Sequence, residues 1–441
     1  MKKLLAIVIL ALCVAVPAEL SARSREKNRA DVLSRSHGYY KEIFMDGGIR
    51  LTSRRSLPAE KFLGVNMEFF ASTKNNDDKD SIRQHKIFCG SEEDTNGWLL
   101  YPDGAPRYRM IYVNGGKAAF HARSMGPEAK ERINEFVDNG GSYLGTCAGA
   151  YIASRGTLNR KTGDLMRSDI YWAVWPGVVS GTKLTKSFTG MDLGKKSPLL
   201  RYYDFGGDKF VDSVRHNGGC YAYTAKGMEY PDGTECLARY RFNNTKRVQI
   251  DGEMAVWSRK ANDKSGRVIL CGSHPESVGR GERLEFMSAI VLYAMEGNPL
   301  PQPKGLLIDG EVREMNKRTE DKDPAYTRIG DRQYHHFELE VPRKCKRAVI
   351  LLDGYDGSRN FSLSLCAKRG EMAFHENTLF KSVAVGCRKQ LVLERPKSGK
   401  WYVSVFCETT VNEAVGRYGT YYYGRTEVLN GVPYKISVKY E

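Results

Sequence analysis

One cysteine of this chain stands where a nucleophile would be presented. Residues 140–151 read GGSYLGTCAGAY, which places Cys147 between small residues where a strand pattern changes to a helix pattern. Glycines there permit the tight, strained turn that lifts a side chain clear of a sheet and aims the next backbone N–H at a developing oxyanion. We therefore predict that Cys147 is a nucleophile. The alternative is a buried thiol in a close-packed junction of strand and helix.

A second motif, CGSHPE at residues 271–276, supplies the groups that such a cysteine needs. His274 can accept the thiol proton, and Glu276 can orient the imidazole. A lone histidine is more often structural, but this one follows an apolar strand pattern and precedes a carboxylate. We predict that His274 and Glu276 act together with Cys147.

The segments around these motifs predict the elements that position them. Apolar runs that end in glycine turns, such as the one at residues 46–48, alternate with segments of helical spacing. This alternation is typical of an α/β fold, a parallel sheet with helices on both faces, whose reactive groups gather at the carboxyl ends of the strands. The expected strands are residues 40–45, 65–71, 110–113 and 267–271, and the expected helices are 57–63, 127–139 and 283–295.

The texture of the sequence changes near residue 300, where three prolines in five residues mark a break. From about Glu320 onward, apolar and polar residues alternate as in half-buried strands, for example FSLSL at 361–365 and WYVSV at 401–405. The predicted organisation is an α/β domain at residues 38–300, a linker at 301–319 and an all-β sandwich domain at 320–441.

The first 22 residues have the basic start, the apolar run and the small-residue ending of a secretory signal peptide. Cleavage is expected after Ala18 or Ala22, which makes the mature protein periplasmic or secreted. A lipid anchor at Cys13 is the alternative, which we disfavour because a bulky leucine precedes this cysteine. No later apolar run approaches the roughly 20 residues that span a bilayer, so we expect no transmembrane span after cleavage.

The net charge is high but evenly distributed. The chain has 441 residues and a formal net charge of +16, with 44 basic and 34 acidic residues before residue 301 and 24 and 18 from there onward. Such a spread indicates a general cationic surface, suited to anionic envelope polymers or to solubility, and we expect no nucleic-acid partner.

The cysteines leave two interpretations open. Loss of Cys13 with the signal peptide leaves nine, and setting Cys147 aside leaves two sets of four. Disulfides within each domain are one interpretation, because exported proteins meet an oxidising compartment. Reduced, buried thiols are the other. The two sets are Cys89, Cys220, Cys236 and Cys271, and Cys345, Cys366, Cys387 and Cys407.

Metal or cofactor chemistry is not expected. His335 and His336 are adjacent on a predicted strand and would point to opposite faces. The chain has no CxxC motif and no histidine pair at helical spacing. We therefore predict neither a metal site nor a cofactor.

Residues from about 38 to 298 resemble the class I glutamine amidotransferase-like (flavodoxin-like) fold, and specifically the family named for the N-terminal domain of biotin-protein ligase. Three segments match that family's recurring motifs in order: residues 140–151, the NGGCY at 217–221, and the GSHPE at 272–276. The C-terminal part resembles the pre-peptidase C-terminal domains of secreted bacterial enzymes, through residues 398–405 and 434–438.

The resemblance implies a Cys-His-Glu triad at Cys147, His274 and Glu276. It also implies an oxyanion hole formed by the N–H groups of Gly116 and Ala148. No ligase domain and no ammonia-using domain follows, so biotin ligation and nitrogen transfer are not expected. A loop beside the cleft, which binds substrate, is one interpretation of the glycine-rich segments, and a simple turn between strands is the other; the candidate residues are Gly115, Asn217, Gly218, Gly219 and Cys220.

Two functions fit these observations. The first is an exported cysteine hydrolase that cleaves an amide or ester of a small-molecule, peptide or envelope-derived substrate. The second is a non-catalytic binding protein for peptide or glycan that retains the fold. The reactivity of the Cys147 thiol distinguishes them.

Overall fold

A computed structural model of the chain describes residues 20–35, 38–46, 57–70, 88–91, 94–224, 228–358, 360–416 and 419–441. Most of the predicted signal peptide, and the glycines of the predicted turn at residues 46–48, lie outside the described residues. The chain is first described in a helix, α1, at residues 20–34. This helix is fixed to the rest of the molecule, because Arg29 Nη1 donates to the carbonyl of Tyr202 at 2.6 Å and Val32 is buried.

The helices that follow are α2 Pro58–Leu63, α3 Ala118–Asp138, α4 Ala148–Ala153 and α5 Gly281–Glu296. Short 3-10 turns lie at Pro198–Arg201, Phe205–Gly207, Thr319–Asp321, Asp356–Ser358 and Thr426–Asn430. The strands before residue 300 are β1 Lys41–Asp46, β2 Met67–Phe70, β3 Tyr108–Val113, β4 Ser142–Thr146, β5 Ser154–Leu158, β6 Leu165–Met166, β7 Trp175–Gly181, β8 Ser187–Asp192, β9 Phe210–His216, β10 Cys220–Tyr223, β11 Thr234–Arg241, β12 Met254–Lys260 and β13 Arg267–Cys271.

After residue 300 the described strands are β14 Val312–Met315, β15 Tyr334–Val341, β16 Arg347–Gly354, β17 Leu363–Arg369, β18 Phe380–Ser382, β19 Lys389–Glu394, β20 Gly399–Cys407, β21 Asn412–Gly416, β22 Gly419–Tyr423 and β23 Tyr434–Tyr440.

The large sheet is mixed, with the order β21-β22-β2-β1-β3-β4-β13-β12-β11-β8-β9. The five strands from β2 to β13 are parallel to one another, as the sequence predicts. The expectation of a wholly parallel sheet is corrected beyond β13, where β12, β11, β8 and β9 pair antiparallel. β12 and β13 are joined by a short connection, which suits antiparallel neighbours, whereas parallel neighbours need a crossover.

Helices cover both faces of the parallel strands. Ile111 and Val113 of β3 share a buried cluster with apolar residues of α3 and α4, whereas Met110 and Tyr112 share another with residues of α2 and α5. This alternation follows from the period of two in a strand and explains why β3 is buried throughout.

Helix α3 is longer than predicted. The sequence indicates a helix at 127–139, and that helix is present as the second half of Ala118–Asp138. A first half precedes it, and the two are joined at Gly126, whose φ of 77° interrupts the helix. Pro127 then restarts it, because proline suits the first turn of a helix, where its missing N–H costs no hydrogen bond.

The C-terminal part is all-β, with two four-stranded sheets ordered β14-β23-β16-β19 and β15-β20-β17-β18. The two sheets contribute alternate residues to a common core; Leu339 and Val403 come from one sheet, and Ile350 and Ile436 from the other. The strand β14 lies within the range predicted as a linker and pairs with β23.

A hairpin from the C-terminal part, β21–β22, joins the edge of the large sheet, where Gly419 pairs with Phe70 of β2. Tyr422 is turned inward, and its hydroxyl donates to Glu68 at 2.8 Å, beside Tyr108, which donates to the same carboxylate at 2.6 Å. Lys41 pairs with the other oxygen of Glu68 at 2.9 Å. The two parts of the chain are therefore joined by strand pairing and by a buried polar cluster.

The nine cysteines of the described residues are free thiols. Of the two interpretations that the sequence leaves open, disulfides and reduced thiols, the structure contains reduced thiols. Within the same described residues, no helix combines the length and the apolar character needed to cross a bilayer.

Candidate active site

Cys147 follows strand β4 in a backbone conformation that few residues adopt. Its φ is 46° and its ψ is −101°, and helix α4 begins at the next residue. A positive φ is uncommon for a residue with a side chain, and holding one costs on the order of 1–3 kcal/mol. The backbone N–H of Cys147 donates to Cys271 of β13 at 2.9 Å, which ties the turn to the neighbouring strand.

Helix α4 lies directly on the strands because one glycine in the helix and one in strand β4 leave no side chain in between. A Cβ at Gly149 would stand 2.1 Å from the carbonyl oxygen of Val113, and one at Gly145 would stand 2.5 Å from Gly149. No side chain fits at such distances, so both positions require glycine. The pattern G-T-C-A-G around Cys147 is thus explained by close packing, which holds the strained turn in place.

His274 and Glu276 lie in the loop after β13 and face the cysteine. The distance from His274 Nδ1 to Glu276 Oε1 is 2.8 Å, and His274 is also hydrogen-bonded to Cys147. The backbone N–H of His274 donates to the carbonyl of Arg215 at 2.8 Å, which fixes the loop to the end of β9. The three residues predicted to act together are therefore brought together.

The His274 imidazole occupies space that a glycine leaves open. A Cβ at Gly115 would stand 2.2 Å from His274 Cε1 and 3.4 Å from Cys147 Cβ. Gly115 therefore borders both side chains. Gly116 follows it in an exposed turn before α3, and Ala148 is buried as the first residue of α4. The oxyanion roles of Gly116 and Ala148 remain predictions.

The protonation of His274 is set by its partners. Burial disfavours the imidazolium, yet the hydrogen bonds to Cys147 and Glu276 outweigh burial and raise the pKa of His274 from 6.5 to about 10. The imidazole is then protonated at neutral pH. Two nearby thiols behave differently, because burial raises the pKa of Cys220 and of Cys271 and keeps both in the neutral form.

The glycine-rich loop at 216–220 lies beside the cysteine. It is the turn between β9 and β10, and the thiol of Cys147 donates to the carbonyl of Asn217 over 3.9 Å. Tyr151 of α4 donates to the carbonyl of Gly219 at 2.9 Å. The segment is therefore both a turn between two strands and a loop beside the site, so its position fits both interpretations. Asn217 and Gly218 are exposed, whereas Gly219 and Cys220 are buried, and substrate contact by any of them remains a prediction.

His216 belongs to the site's surroundings, although the sequence assigns it no role. It is fully buried, with Nε2 at 2.7 Å from Thr182 Oγ1 and Nδ1 at 3.0 Å from Ser273 Oγ. Burial and the charge of His274 lower the pKa of His216 to about 4, so this imidazole stays neutral. The one sequence feature that could have indicated a place for His216 at the site is its position directly before the Asn217 turn. Its bonding partners, Thr182 and Ser273, come from distant segments.

The described residues contain no group of three or more His, Cys, Asp or Glu side chains arranged to hold a metal ion. The arrangement at this edge of the sheet is instead a cysteine on a strained turn, with a charged histidine and a carboxylate in line. A cysteine, a histidine and a carboxylate in this order have the groups that nucleophilic chemistry needs.

The class that this fold and this site define is a mixed α/β protein with a Cys-His-carboxylate cluster at the carboxyl ends of its parallel strands. Residues 105–288 match the family model described as "Biotin-protein ligase, N terminal". The matched segment carries all three residues of the cluster, so the similarity to that family includes the site.

Two relatives match by sequence. An uncharacterised protein of Chlamydia muridarum is 28% identical over 188 residues, which is 42% of this chain and 62% of that protein. The biotin–protein ligase of Schizosaccharomyces pombe is 25% identical over 196 residues, which is 41% of this chain and 29% of that enzyme. The chain thus spans less than two thirds of the length of either relative.

Two solved structures match individual parts of the chain. A glutamine amidotransferase aligns with a TM-score of 0.32 and 14% identity, over 56% of this chain and 98% of that one. The pre-peptidase C-terminal domain of a collagenase from Bacillus anthracis aligns with a TM-score of 0.17 and 15% identity, over 31% and 90%. The chemistry of the site rests on its own geometry.

Proposed function

We propose that the protein is a cysteine hydrolase that cleaves an amide or ester bond through Cys147, His274 and Glu276. The observation that carries the proposal is the joint geometry of the three side chains. His274 bonds to Glu276 at 2.8 Å on one side and to Cys147 on the other, and the cysteine has the strained backbone of a presented nucleophile.

The reaction would proceed through an acyl-enzyme. With His274 protonated, the sulfur of Cys147 attacks the carbonyl carbon of the substrate as the thiolate. The resulting oxyanion collapses, and His274 gives its proton to the leaving amine or alcohol. His274 then takes a proton from water, whose oxygen attacks the thioester and releases the acid and the Cys147 thiolate, which restores the starting state. Glu276 holds the imidazole in position and stabilises its charge.

The oxyanion would be bound by backbone N–H groups at two neighbouring strand ends. Ala148 lies in the first turn of α4, where N–H groups have no acceptor within the helix. Gly116 follows the end of β3, next to the glycine that borders His274 and Cys147. Each such donor contributes on the order of 10²-fold to 10³-fold in rate.

The substrate would lie outside the cytoplasm. The basic and apolar start of the chain supports export to the periplasm or the medium, and the net charge of +16 suits anionic envelope material. Amino-terminal sequencing of the protein from cell fractions tests this part. We expect a mature protein outside the cytoplasm that begins at Glu19 or Arg23, and a cytoplasmic protein that retains Met1 would contradict it.

Reaction with iodoacetamide at neutral pH tests the nucleophile without knowledge of the substrate. We expect one fast adduct, mapped to Cys147 beside the protonated His274, and slow reaction of thiols such as Cys220 and Cys271, whose pKa is raised by burial. The variant Cys147→Ala should lose the fast adduct, and Cys345→Ala, at a partly buried cysteine of the C-terminal part, should keep it.

A library of amide electrophiles would then identify the acyl group that the enzyme accepts. Substrate protection of the same adduct, together with turnover that Cys147→Ala abolishes, would support hydrolysis. Turnover that survives Cys147→Ala would contradict the proposal, as would a fast adduct on another cysteine.

A non-catalytic binding protein is the second candidate. The observation that favours it is the burial of Cys147, whose exposed fraction is 4%. A thiol that reacts with iodoacetamide no faster than an ordinary cysteine, while a peptide or glycan still binds beside Asn217, would favour this candidate over the hydrolase.

A further inference from the structure

A short segment at the edge of the C-terminal sheets places large apolar side chains in water. It comprises residues 379–385 and includes β18, the outermost strand of the sheet β15-β20-β17-β18. The exposed fractions are 95% for Leu379, 46% for Phe380, 53% for Val383 and 93% for Val385. Single exposed apolar residues are ordinary, but four in seven residues form a patch of the kind that marks an interaction surface.

The patch is held in place by the sheet beneath it. β18 pairs with β17, with Phe380 opposite Ala367 and Ser382 opposite Leu365. The Phe380 ring packs edge-on against Trp401, with ring centroids 5.8 Å apart. Phe380 therefore projects from a defined strand edge, with Leu379 directly before this strand and Val383 and Val385 after it.

Basic residues are frequent in the part of the chain that forms and follows the patch. The stretch from Leu379 to Lys400 contains six Lys or Arg residues and one acidic residue, Glu394. Lys389 is buried, which leaves five at the surface, and Lys381 stands between the apolar side chains. Two of the five pair with carboxylates in exposed contacts, Arg388 with Asp353 at 3.2 Å and Lys400 with Glu338 at 2.7 Å. Exposed pairs of this kind are weak and leave the cations available to another anion.

We propose that residues 379–385 and the basic side chains around them dock the protein peripherally on an anionic lipid bilayer. The apolar side chains enter the boundary between headgroups and acyl chains, and the cations contact the anionic headgroups. An anionic bilayer satisfies both parts of the surface, whereas a soluble polyanion gives no apolar environment and an uncharged apolar surface gives no negative charge. The proposal does not depend on the hydrolase chemistry.

Flotation of the full chain with lipid vesicles tests the proposal. We expect binding to vesicles of phosphatidylglycerol and phosphatidylcholine in equal parts, and much weaker binding to phosphatidylcholine alone. The double variant Leu379→Ser with Val385→Ser should bind the anionic vesicles about tenfold or more weakly, since each side chain loses its burial in lipid. Lys381→Gln should bind about fivefold more weakly, because a basic residue near such a surface is worth about 1 kcal/mol.

The control is Val415→Ser, at a valine of strand β21 that is 69% exposed outside the patch. It should bind as the unchanged protein does. Every variant carries the same N-terminal segment, so a difference in binding between the double variant and the control cannot come from the apolar residues 4–16. Thermal unfolding at an unchanged midpoint shows that the variants are folded.

Three results would overturn the proposal. One is equal binding of the double variant and the unchanged protein to anionic vesicles, and another is binding that the Val415→Ser control loses equally. The third is self-association in sedimentation velocity that the double variant abolishes while vesicle binding is absent, which would make the patch an interface between copies of the chain.

Discussion

The candidate active-site edge of the large sheet and the strand β15 of the C-terminal sheets each bury a histidine, and at neutral pH the first histidine is charged whereas the second is neutral. In the active site, burial of His274 is outweighed by Cys147 and Glu276, which raise its pKa from 6.5 to about 10. In β15, burial and the charge of Lys304 lower the pKa of His336 to about 3. His336 bonds through Nδ1 to a hydroxyl, Ser404 Oγ, at 2.7 Å.

Burial therefore acts in the same direction in both regions, and the partner decides the outcome. A carboxylate in contact stabilises the imidazolium, whereas a hydroxyl serves the neutral ring equally well. A charged, buried histidine is thus a sign that the surrounding residues were arranged for it, which is the physical reason to regard His274 as functional and His336 as structural.

Removing the carboxylate should make the two regions alike. The variant Glu276→Gln keeps the shape of the side chain but loses its charge, so the pKa of His274 should fall toward that of a buried neutral histidine. We expect a loss in turnover, or in the rate of Cys147 labelling at neutral pH, on the order of 10³-fold to 10⁴-fold. The measurements are the labelling rate at neutral pH and the turnover rate across pH, whose alkaline limit should move to lower pH because His274 loses its proton more readily.

The matched control is Glu338→Gln, which neutralises a half-buried glutamate of β15 that pairs with Lys400. It should leave labelling unchanged. Labelling of Glu276→Gln at the unchanged protein's rate would show that Cys147 does not depend on the carboxylate, and the comparison would fail.

Displacing the imidazole tests the geometry separately from the charge. In Gly115→Ala the new Cβ would stand 2.2 Å from His274 Cε1, so the ring must move away from Cys147. A displacement of about 1 Å at a reacting group costs roughly 10²-fold in rate. The control is Gly279→Ala, whose Cβ would meet nothing closer than 3.6 Å. Similar rates for the two variants would mean that the position of His274 is not critical.

The pH dependence of stability should differ in sign between the regions. His336 has a pKa of about 3 when folded and 6.5 when unfolded, so the unfolded chain binds more protons and stability falls as pH drops below 6.5. His274 has its pKa raised when folded, so its contribution is complete below 6.5 and is lost as pH rises through about 10.

The variant His336→Gln should flatten the acid side alone. Between about pH 6 and pH 4, each unit of acidification should lower the free energy of unfolding of the variant by about 1.4 kcal/mol less than that of the unchanged protein. The difference should reach about 2 kcal/mol in total by pH 5. Denaturant unfolding at several pH values measures this slope. A slope that His336→Gln leaves unchanged would show that His336 is not held neutral by burial.

The sequence could predict the part of the site that is local. The turn around Cys147 and the order of His274 and Glu276 are contained in short motifs, because the backbone geometry that each needs is set within a few residues. The five parallel strands follow from apolar runs and glycine turns in the same way. The charge of His274, by contrast, depends on contacts among three segments that only the fold brings together.

What the sequence could not predict depends on long-range pairing. The antiparallel strands beyond β13 have short aromatic and glycine-rich sequences. Their pairing partners depend on which edge of the sheet is free when they form. The hairpin β21–β22 belongs to the C-terminal part of the chain, yet it pairs with β2 through Gly419 and packs Tyr422 against Glu68. A pattern of alternation fixes which face is buried, but not which strand lies alongside.

His216 offers the finest test of the comparison, because it lies in the active-site region but is bonded as His336 is. It contacts two hydroxyls and no carboxylate, and its pKa is lowered to about 4. We infer that it positions the His274 loop through Ser273. In His216→Gln the shorter amide can keep one of these bonds, and loss of the other should slow labelling of Cys147 about tenfold.

The pH profile separates positioning from proton transfer. Because His216 stays neutral above about pH 5, its replacement should lower the labelling rate without moving the profile above that pH. Thr182→Val, which removes the hydroxyl bonded to Nε2, should act through the same contact, so the double variant should lose little more than either single variant. Two results would contradict this inference: effects of His216→Gln and Thr182→Val on the labelling rate that multiply in the double variant, or a pH profile that shifts. Either would mean that His216 takes part in the chemistry although it is bonded to hydroxyls, so that the bonding partner alone does not decide the role of a histidine.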